Sequence, residues 1–173
     1  MTIRQAQEKD LPELLEIYNY EVEHGAATLD LNPRTPAEWE DWFRAHQTDA
    51  HFILVGEENG AVIGYASLSE YRSKEAFAST AELSVYISPL HRRKGAASAL
   101  MGAVLERAKA CGELHSVVSV ITAGNEASER LHKKFGFTFC GTLHQVGFKL
   151  GEYRDIDNFE LILGGQEKQC SVK

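Results

Sequence analysis

A basic turn containing one glycine leads directly from a strand pattern into a helix pattern. Residues 85–100 run V-Y-I-S-P-L-H-R-R-K-G-A-A-S-A-L, so that Arg92, Arg93 and Lys94 immediately precede Gly95. The first turn of a helix leaves about four backbone N–H groups without intrahelical partners, and the helix dipole adds roughly half a positive charge there. Anions bind such helix ends readily. The segment predicts a cradle for a polyphosphate, and a solvated basic helix cap is the alternative.

The spacing of this turn differs from that of the common nucleotide-binding loops. A P-loop requires G-x-x-x-x-G-K-[ST], and a dinucleotide-binding turn requires G-x-G-x-x-G with an acidic residue about twenty positions later. Neither pattern occurs in the sequence. The turn instead has the form R-x-x-G-x-A from Arg92 to Ala97. Because so short a motif also arises by chance, the rest of the chain has to decide between the two interpretations.

Composition limits the classes of partner. The chain has 173 residues, is 43% hydrophobic and carries a formal net charge of −7, which is consistent with one globular domain at residues 1–163 and a polar tail at 164–173. An acidic chain whose only basic cluster is a triplet is not expected to bind nucleic acid or an anionic membrane. No apolar run resembles a signal peptide or a membrane span, so we expect a cytoplasmic protein.

The cysteines do not suggest a metal site or a disulfide framework. Cys111, Cys140 and Cys170 are odd in number and far apart, and no C-x-x-C pair is present. We expect reduced, mostly structural thiols and no bound metal.

The hydrophobic pattern predicts an α/β protein with the element order β-α-α-β-β-β-α-β-α-β-β. Hairpins early in the chain and crossovers later imply a mixed, mostly antiparallel sheet of about seven strands flanked by about four helices. Local signals include an N-cap at Thr35 with Glu38, a hairpin turn at Asn59-Gly60 and a helix start at Asp10. The helix after the basic turn is predicted from about Lys94 to Ala110.

Three separated motifs resemble the GCN5-related N-acetyltransferases. They are the R-x-x-G-x-A turn, the segment N-E-A-S-E-R-L-H-K-K-F-G-F from Asn125 to Phe137, and the segment Gly141–Ile156. The predicted element order is also the one seen in that superfamily. The segments Ala81–Ile87 and Gly141–Ile156 are similar to the phosphinothricin and methionine sulfoximine acetyltransferase subgroup. The resemblance implies the fold of that superfamily and an acetyl-coenzyme A dependent N-acetyltransferase.

The resemblance also implies which residues hold acetyl-coenzyme A. The strand at Val85–Ile87 would offer its backbone groups to the pantetheine arm and splay from the next strand. The turn from Arg92 to Ser98 would hold the pyrophosphate. Asn125 would contact the pantetheine arm or its carbonyl. Ala97 stands where the family has a second glycine. The residues implied for cofactor binding are Val85, Tyr86, Ile87, Arg92, Arg93, Lys94, Gly95, Ala96, Ala97, Ser98, Asn125 and Ser128.

Acetyl transfer to an amine requires a neutral nucleophile, and this need defines the catalytic candidates. An α-amine with a pKa of about 7.7–8.0 is only roughly one-tenth neutral at pH 7, so a base is useful. Glu82 corresponds to the catalytic carboxylate of the subgroup, with a solvated strand-end carboxylate as the alternative. His132 lies where many superfamily members carry a tyrosine acid, and its role as acid, second base or substrate contact stays open.

The predicted acceptor is a small-molecule amine resembling an amino acid. The resemblance places substrate contacts at Arg72, Ser73, Lys74, Leu83 and Ser84, and the planar guanidinium of Arg72 matches a carboxylate or phosphinate. The subgroup also implies a homodimer. Two alternatives remain: an enzyme that acetylates peptide or protein α-amines, and an acyl-coenzyme A binding module without catalysis.

Overall fold

We describe residues 1–164 of the chain from a computed structural model. Apart from Gly164, the predicted tail lies outside the described residues, and so does Cys170. Cys111 is half-buried and Cys140 is exposed, and both are free thiols.

The predicted order of helices and strands is confirmed. The helices are α1 (Leu11–His24), α2 (Pro36–Ala45), α3 (Ala96–Cys111) and α4 (Glu126–Lys134). The strands are β1 (Thr2–Gln5), β2 (Phe52–Glu58), β3 (Ala61–Glu70), β4 (Thr80–Ile87), β5 (Ser116–Thr122), β6 (Thr138–Lys149) and β7 (Glu152–Ile162). Single 3₁₀ turns occur at Glu8–Asp10, Glu75–Phe77 and Pro89–His91.

The seven strands form one mixed sheet in the order β1-β2-β3-β4-β5-β7-β6. Every neighbouring pair is antiparallel except β4 and β5, which run parallel. That parallel pairing covers only the positions from Thr80–Ser116 to Glu82–Val118, and the two strands separate beyond it. The sheet therefore opens between β4 and β5 on the side toward which both strands run.

Local sequence signals explain most of the boundaries. Thr35 and Glu38 form the expected capping box, with the Glu38 N–H donating to Thr35 Oγ1 at 3.3 Å. Asn59 and Gly60 have φ angles of 53° and 83°, as a tight hairpin turn requires. Asp10 differs from its predicted role: its carboxylate accepts from the Gln7 N–H and pairs with Arg4 instead of capping α1.

The helix after the basic turn begins two residues later than predicted. Arg93 and Gly95 have φ angles of 62° and 86°, which are left-handed values that an α-helix cannot contain. The basic residues therefore lie in the loop, and α3 begins at Ala96.

Two apolar layers cover the sheet. On one face, α1 and α2 contribute Leu14, Ile17, Trp39 and Phe43 to a core with β2 and β3. On the other face, α3 packs its buried side chains against the strands. Successive residues of β4 alternate between these layers: Leu83 belongs to the α3 side, whereas Tyr86 packs on the α1 and α2 side. Within residues 1–164, no helix is long and apolar enough to cross a lipid bilayer.

Candidate active site

The opening between β4 and β5 forms a cleft of about 550 Å³. Its walls come from five parts of the chain: the C-terminal half of β4, the basic loop with the start of α3, the end of β5, α4, and the C-terminal part of α1 with the loop after it. We call this cavity the β4–β5 cleft. Of the twelve residues predicted to bind the cofactor, all except Lys94 line it.

The start of α3 has the properties of a phosphate cradle. Gly95 is left-handed at φ 86°, and no atom lies within 4 Å of the position that a Cβ would occupy. The Ala99 N–H donates to the Gly95 carbonyl at 3.1 Å, and no side chain caps the helix start. The amides of the first turn are therefore left for a ligand. This open, uncapped helix start fits a pyrophosphate group.

The three basic residues of the loop differ in position. Arg93 lines the cleft. Arg92 also lines it, donates to the Ile87 carbonyl at 3.2 Å and forms an ion pair with the buried Glu21. The Lys94 ammonium instead donates to the Leu90 carbonyl at 3.1 Å. Its part in cofactor binding stays a prediction.

Sequence reasoning missed two charged residues near the cradle. Glu21 lies on α1, 71 positions before its partner Arg92, so no local pattern connects them. Lys134, from the end of α4, donates to Ser98 Oγ at 2.9 Å and brings a further cation to the first turn of α3. Only the folded arrangement reveals either contact.

The start of α4 contributes Asn125 and Ser128 to the cleft wall. Asn125 Oδ1 accepts from the Ser128 N–H at 3.2 Å, so Asn125 is an N-cap. This capping role and contact with a cofactor are compatible, because both residues also face the cavity.

His132 lies buried at the inner end of the same cleft and is 5% exposed. Its Nδ1 is 2.8 Å from the Ser128 carbonyl, which can only accept, so Nδ1 carries the proton. Its Nε2 is 2.9 Å from Ser119 Oγ. Burial lowers the pKa of His132, so the imidazole is neutral near pH 7. Ser119, which the sequence did not single out, lines the cleft together with His132 and is hydrogen-bonded to it.

A second cavity of about 440 Å³ lies on the α1 and α2 face of β4. We call it the aromatic pocket. It is lined by Tyr18, Thr28, Arg34, Glu38, Trp39, Trp42, Tyr65, Ser67, Ser69, Glu82, Ser84 and Tyr86. Ser84 and Tyr86 also line the β4–β5 cleft, so the two cavities meet at β4.

Glu82 and Glu38 are the two carboxylate residues among those that line the aromatic pocket, and Glu38 belongs to the capping box of α2. Glu82 is half-buried on β4, and burial raises the pKa of its carboxyl above the ordinary value of 4.5. A carboxylate with a raised pKa binds a proton more readily near neutral pH, which suits a general base. Glu82 and His132 line different cavities, on opposite sides of β4.

Two residues that line this pocket have buried side-chain donors. Trp39 Nε1 and Tyr65 Oη have no hydrogen-bond partner among the described residues. Burial raises the pKa of Tyr65 well above its usual value, so the phenol keeps its proton.

The residues predicted to contact the acceptor substrate lie in different parts of the structure. Leu83 lines the cleft, and Ser84 lines both cavities. Arg72, Ser73 and Lys74 are exposed and line neither one. The Arg72 guanidinium stacks on neighbouring rings, 4.9 Å from the centroid of Tyr71 and 5.5 Å from that of Phe77. Their contact with substrate stays a prediction.

Known proteins resemble this chain over nearly its whole length. An L-methionine sulfoximine/L-methionine sulfone acetyltransferase from Salmonella typhimurium is 40% identical over 168 residues, which are 94% of this chain and 95% of that protein. A phosphinothricin N-acetyltransferase from Streptomyces coelicolor is 36% identical, covering 91% and 94%. A Salmonella typhimurium acetyltransferase, solved with its cofactor acetyl-CoA, superposes with a TM-score of 0.92 at 37% identity, covering 99% and 98%.

The sequence profile of the acetyltransferase (GNAT) family matches residues 11–137. That range contains the uncapped start of α3, the opening between β4 and β5, and Glu82. The match and the relatives agree with the seven-stranded sheet. The chain belongs to the acetyltransferase (GNAT) family.

Proposed function

We propose that this protein transfers the acetyl group of acetyl-CoA to the α-amine of a small amino acid or analogue, of the phosphinothricin, methionine sulfoximine or methionine sulfone class. The observation that carries the proposal is the meeting of two cavities at β4. One has a phosphate cradle, and the other has a carboxylate with a raised pKa. The names of the relatives supply the acceptor class.

The β4–β5 cleft is the proposed site for acetyl-CoA. Backbone amides from Gly95 to Ser98 would bind the pyrophosphate, with Arg93 adding charge. The segment Val85–Ile87 has no strand partner on its β5 side, so its backbone groups are left for the pantetheine arm. When bound, acetyl-CoA supplies an activated thioester that an amine can attack directly.

Glu82 is the proposed general base. It receives a proton from the acceptor ammonium, which leaves the nitrogen lone pair free to attack. A base of this kind contributes roughly 10²–10⁴-fold to the rate. Because the aromatic pocket reaches β4 from the opposite face, the amine and the thioester would approach β4 from different sides.

His132 is proposed to act through Ser119. The Ser119 hydroxyl lies between His132 Nε2 and the Leu83 carbonyl, and Ser119 itself lines the cleft. A neutral imidazole at this place can accept or return the hydroxyl proton. Because the Ser119 hydrogen is shared between His132 Nε2 and the Leu83 carbonyl, the Ser119 oxygen would present a lone pair to the reacting groups.

Two features support an acceptor that carries oxygen atoms. The unpaired donors Trp39 Nε1–H and Tyr65 Oη–H belong to the pocket wall, and a sulfoximine, sulfone or phosphinate offers acceptor oxygens. Arg72 and Lys74 are the proposed contacts for a carboxylate or phosphinate of the acceptor. Ser73, which lies between them, is proposed to contact the acceptor as well.

We further propose that the protein forms a homodimer in the cytoplasm. The β6–β7 hairpin forms the edge of the sheet and exposes apolar side chains, with Phe139, Phe148 and Tyr153 each at least half exposed. Exposed apolar side chains along a sheet edge support an interface between two copies of the chain. Sedimentation velocity of the full chain tests this part, and a monomer at micromolar concentration would remove it.

Release of the coenzyme A thiol, followed with a panel of amines, tests the proposed reaction. We expect turnover that depends on a free amino-acid amine. A preference for peptides would select the peptide acetyltransferase instead. Tight acetyl-CoA binding without turnover on any amine would select a binding module.

A further inference from the structure

A second buried histidine is hydrogen-bonded to Ser69, the residue that pairs with Glu82 between β3 and β4. His46, which follows α2, is 4% exposed. Its Nδ1 is 2.6 Å from the Trp42 carbonyl, and its Nε2 is 2.7 Å from Ser69 Oγ on β3. Both ring nitrogens are therefore engaged in a fixed orientation. Neither His46 nor Ser69 has a role in the cofactor cleft.

These contacts determine the tautomer of His46 and the direction of the Ser69 hydroxyl. A backbone carbonyl can only accept, so Nδ1 of His46 must carry the ring proton. In the neutral ring Nε2 is then an acceptor, and the Ser69 hydroxyl must donate to it. Burial lowers the pKa of His46, which keeps the ring neutral near pH 7. The oxygen of Ser69 is left with its lone pairs and no hydrogen to donate elsewhere.

Ser69 and Glu82 are direct partners in the antiparallel pairing of β3 with β4. Side chains at directly opposed positions lie on the same face of a sheet. Both residues also line the aromatic pocket, and Ser69 is only half-buried. The pocket therefore presents two neighbouring hydrogen-bond acceptors, a carboxylate and a hydroxyl that has already used its proton.

We propose that Ser69 binds the acceptor amine beside Glu82, and that His46 is the positioning residue that keeps Ser69 a hydrogen-bond acceptor. The proposal rests on the function proposed above. An acceptor with a pKa of about 7.7–8.0 arrives mainly as an ammonium with three N–H bonds. One N–H bond breaks as its proton passes to Glu82 and forms an O–H bond there. A second N–H donates to Ser69 and holds the nitrogen while its freed lone pair is directed at the thioester.

This arrangement selects for a primary amine. A nitrogen that must give one proton to Glu82 and donate another to Ser69 still needs a third position for its carbon substituent. A secondary ammonium can also give one proton to Glu82 and donate its other N–H to Ser69, but its second carbon substituent takes the position of the third N–H and has to fit against the aromatic residues of the pocket. We expect N-methyl amino acids to be poor acceptors for this reason.

A double-mutant cycle tests the proposal, with the KM for the amine and for acetyl-CoA measured separately. Ser69→Ala and His46→Phe should each lower kcat/KM for the amine about 10-fold, the usual size of one lost hydrogen bond to a charged group. The double variant should fall no further than either single variant, since His46 acts only through Ser69. The KM for acetyl-CoA should stay within about twofold of wild type in all three.

His46→Gln is the matched variant that distinguishes positioning from packing. Its side-chain amide keeps an acceptor for the Ser69 hydroxyl, so it should retain most of the activity that His46→Phe loses. Any one of three results would overturn the proposal. The losses in kcat/KM for the amine could be additive in the double variant, or they could be equal in His46→Gln and His46→Phe. Ser69→Ala could also show wild-type kinetics. Ser69→Ala decides the matter even if His46→Phe fails to fold.

Glu82→Gln measured in parallel separates failure of this proposal from failure of the proposed function. Full turnover in Glu82→Gln would remove the general base and the proposed mechanism with it. Loss of turnover in Glu82→Gln together with unchanged kinetics in Ser69→Ala would remove only the role of Ser69 and His46.

Discussion

The Ser119 hydroxyl lies 3.1 Å from the Leu83 carbonyl, at the position where β4 and β5 stop pairing. The last backbone pair is Glu82 with Val118, so this side-chain contact continues the connection between the strands by one residue. His132 Nε2 is 2.9 Å from the same hydroxyl. Because the hydroxyl has one hydrogen, it donates either to Leu83 or to His132 at a given moment. The hydrogen bonding at the inner end of the β4–β5 cleft therefore depends on one shared proton.

Ser119→Ala should weaken the use of acetyl-CoA. Removing the hydroxyl leaves the buried His132 Nε2 without a partner and frees β4 from β5 where the cleft begins. We expect kcat/KM for acetyl-CoA to fall about 10-fold, in line with about 1.4 kcal/mol for a lost buried hydrogen bond. Initial rates of thiol release at varied acetyl-CoA measure it.

Ser116→Ala is the control for that variant. Ser116 Oγ is 3.0 Å from Thr80 Oγ1, so it also connects β5 to β4, but within the region where the backbones pair. Its loss should leave the KM for acetyl-CoA unchanged. An equal rise in the KM for acetyl-CoA in Ser116→Ala and Ser119→Ala would mean that the opening between β4 and β5 does not depend on Ser119.

Gly95→Ala should damage the phosphate cradle. The left-handed φ of 86° costs an alanine roughly 1–2 kcal/mol, and relaxing it would rotate the amides that start α3. Since no atom lies within 4 Å of the added Cβ, crowding is not the cause. We expect the KM for acetyl-CoA to rise about 10-fold, by analogy with the loss of one or two charge-assisted hydrogen bonds.

Gly112→Ala provides the matched comparison at the other end of the same helix. Gly112 has φ 69° and equally open surroundings, and it lies outside the cleft. Thermal unfolding should show a similar loss of stability in both glycine variants. A rise in the KM for acetyl-CoA in both would contradict a specific role for Gly95.

Glu82→Gln should lower kcat about 100-fold, the lower end of what a general base supplies. In the wild-type enzyme the rate should fall as pH drops through the raised pKa of Glu82, because only the ionised carboxylate accepts a proton. The variant should lack that acid limb. Glu70→Gln, at the exposed end of β3, is the control and should keep the wild-type profile.

Glu82→Gln should not destabilise the fold. A carboxyl whose pKa is raised by folding favours its protonated form in the native state, so its ionisation reduces stability as pH rises through that pKa. A neutral amide removes this penalty. We expect the melting temperature of Glu82→Gln at pH 7 to equal or exceed that of wild type, and a clear drop would contradict the burial of a charge at this site.

Arg72→Ala should raise the KM for an amino-acid acceptor about 10-fold if its guanidinium binds the acceptor carboxylate, as expected for one charged hydrogen-bonding pair. The effect should vanish with an amine that has no carboxylate. Arg44→Ala, an exposed arginine on α2, is the control. Equal KM values for wild type and Arg72→Ala would limit Arg72 to its stacking on Tyr71 and Phe77.

Local patterns predicted the order of the elements because most of the boundaries here have a local cause. The Thr35 capping box, the Asn59-Gly60 turn and the glycine before α3 depend on nearest neighbours in the sequence. The start of α3 was misplaced by two residues because a left-handed Arg93 has no distinct sequence signature.

The site was predictable only where a contiguous motif forms it. Eleven of the twelve proposed cofactor residues line the cleft, since most belong to the single run that includes Gly95. Glu21, Ser119 and the His46–Ser69 pair escaped notice, because their contacts join positions 71, 13 and 23 residues apart. Composition and periodicity carry no information about such contacts, which arise only when distant segments pack together in the fold.

Competition between two acceptors tests the central claim most directly. The enzyme would receive limiting acetyl-CoA with equal concentrations of L-methionine sulfoximine and a short peptide that has a free α-amine, and mass spectrometry would identify the acetylated product. The proposed function predicts N-acetyl methionine sulfoximine as the main product, formed with stoichiometric release of coenzyme A. Acetylated peptide as the main product, or no acetylated amine at all, would contradict it.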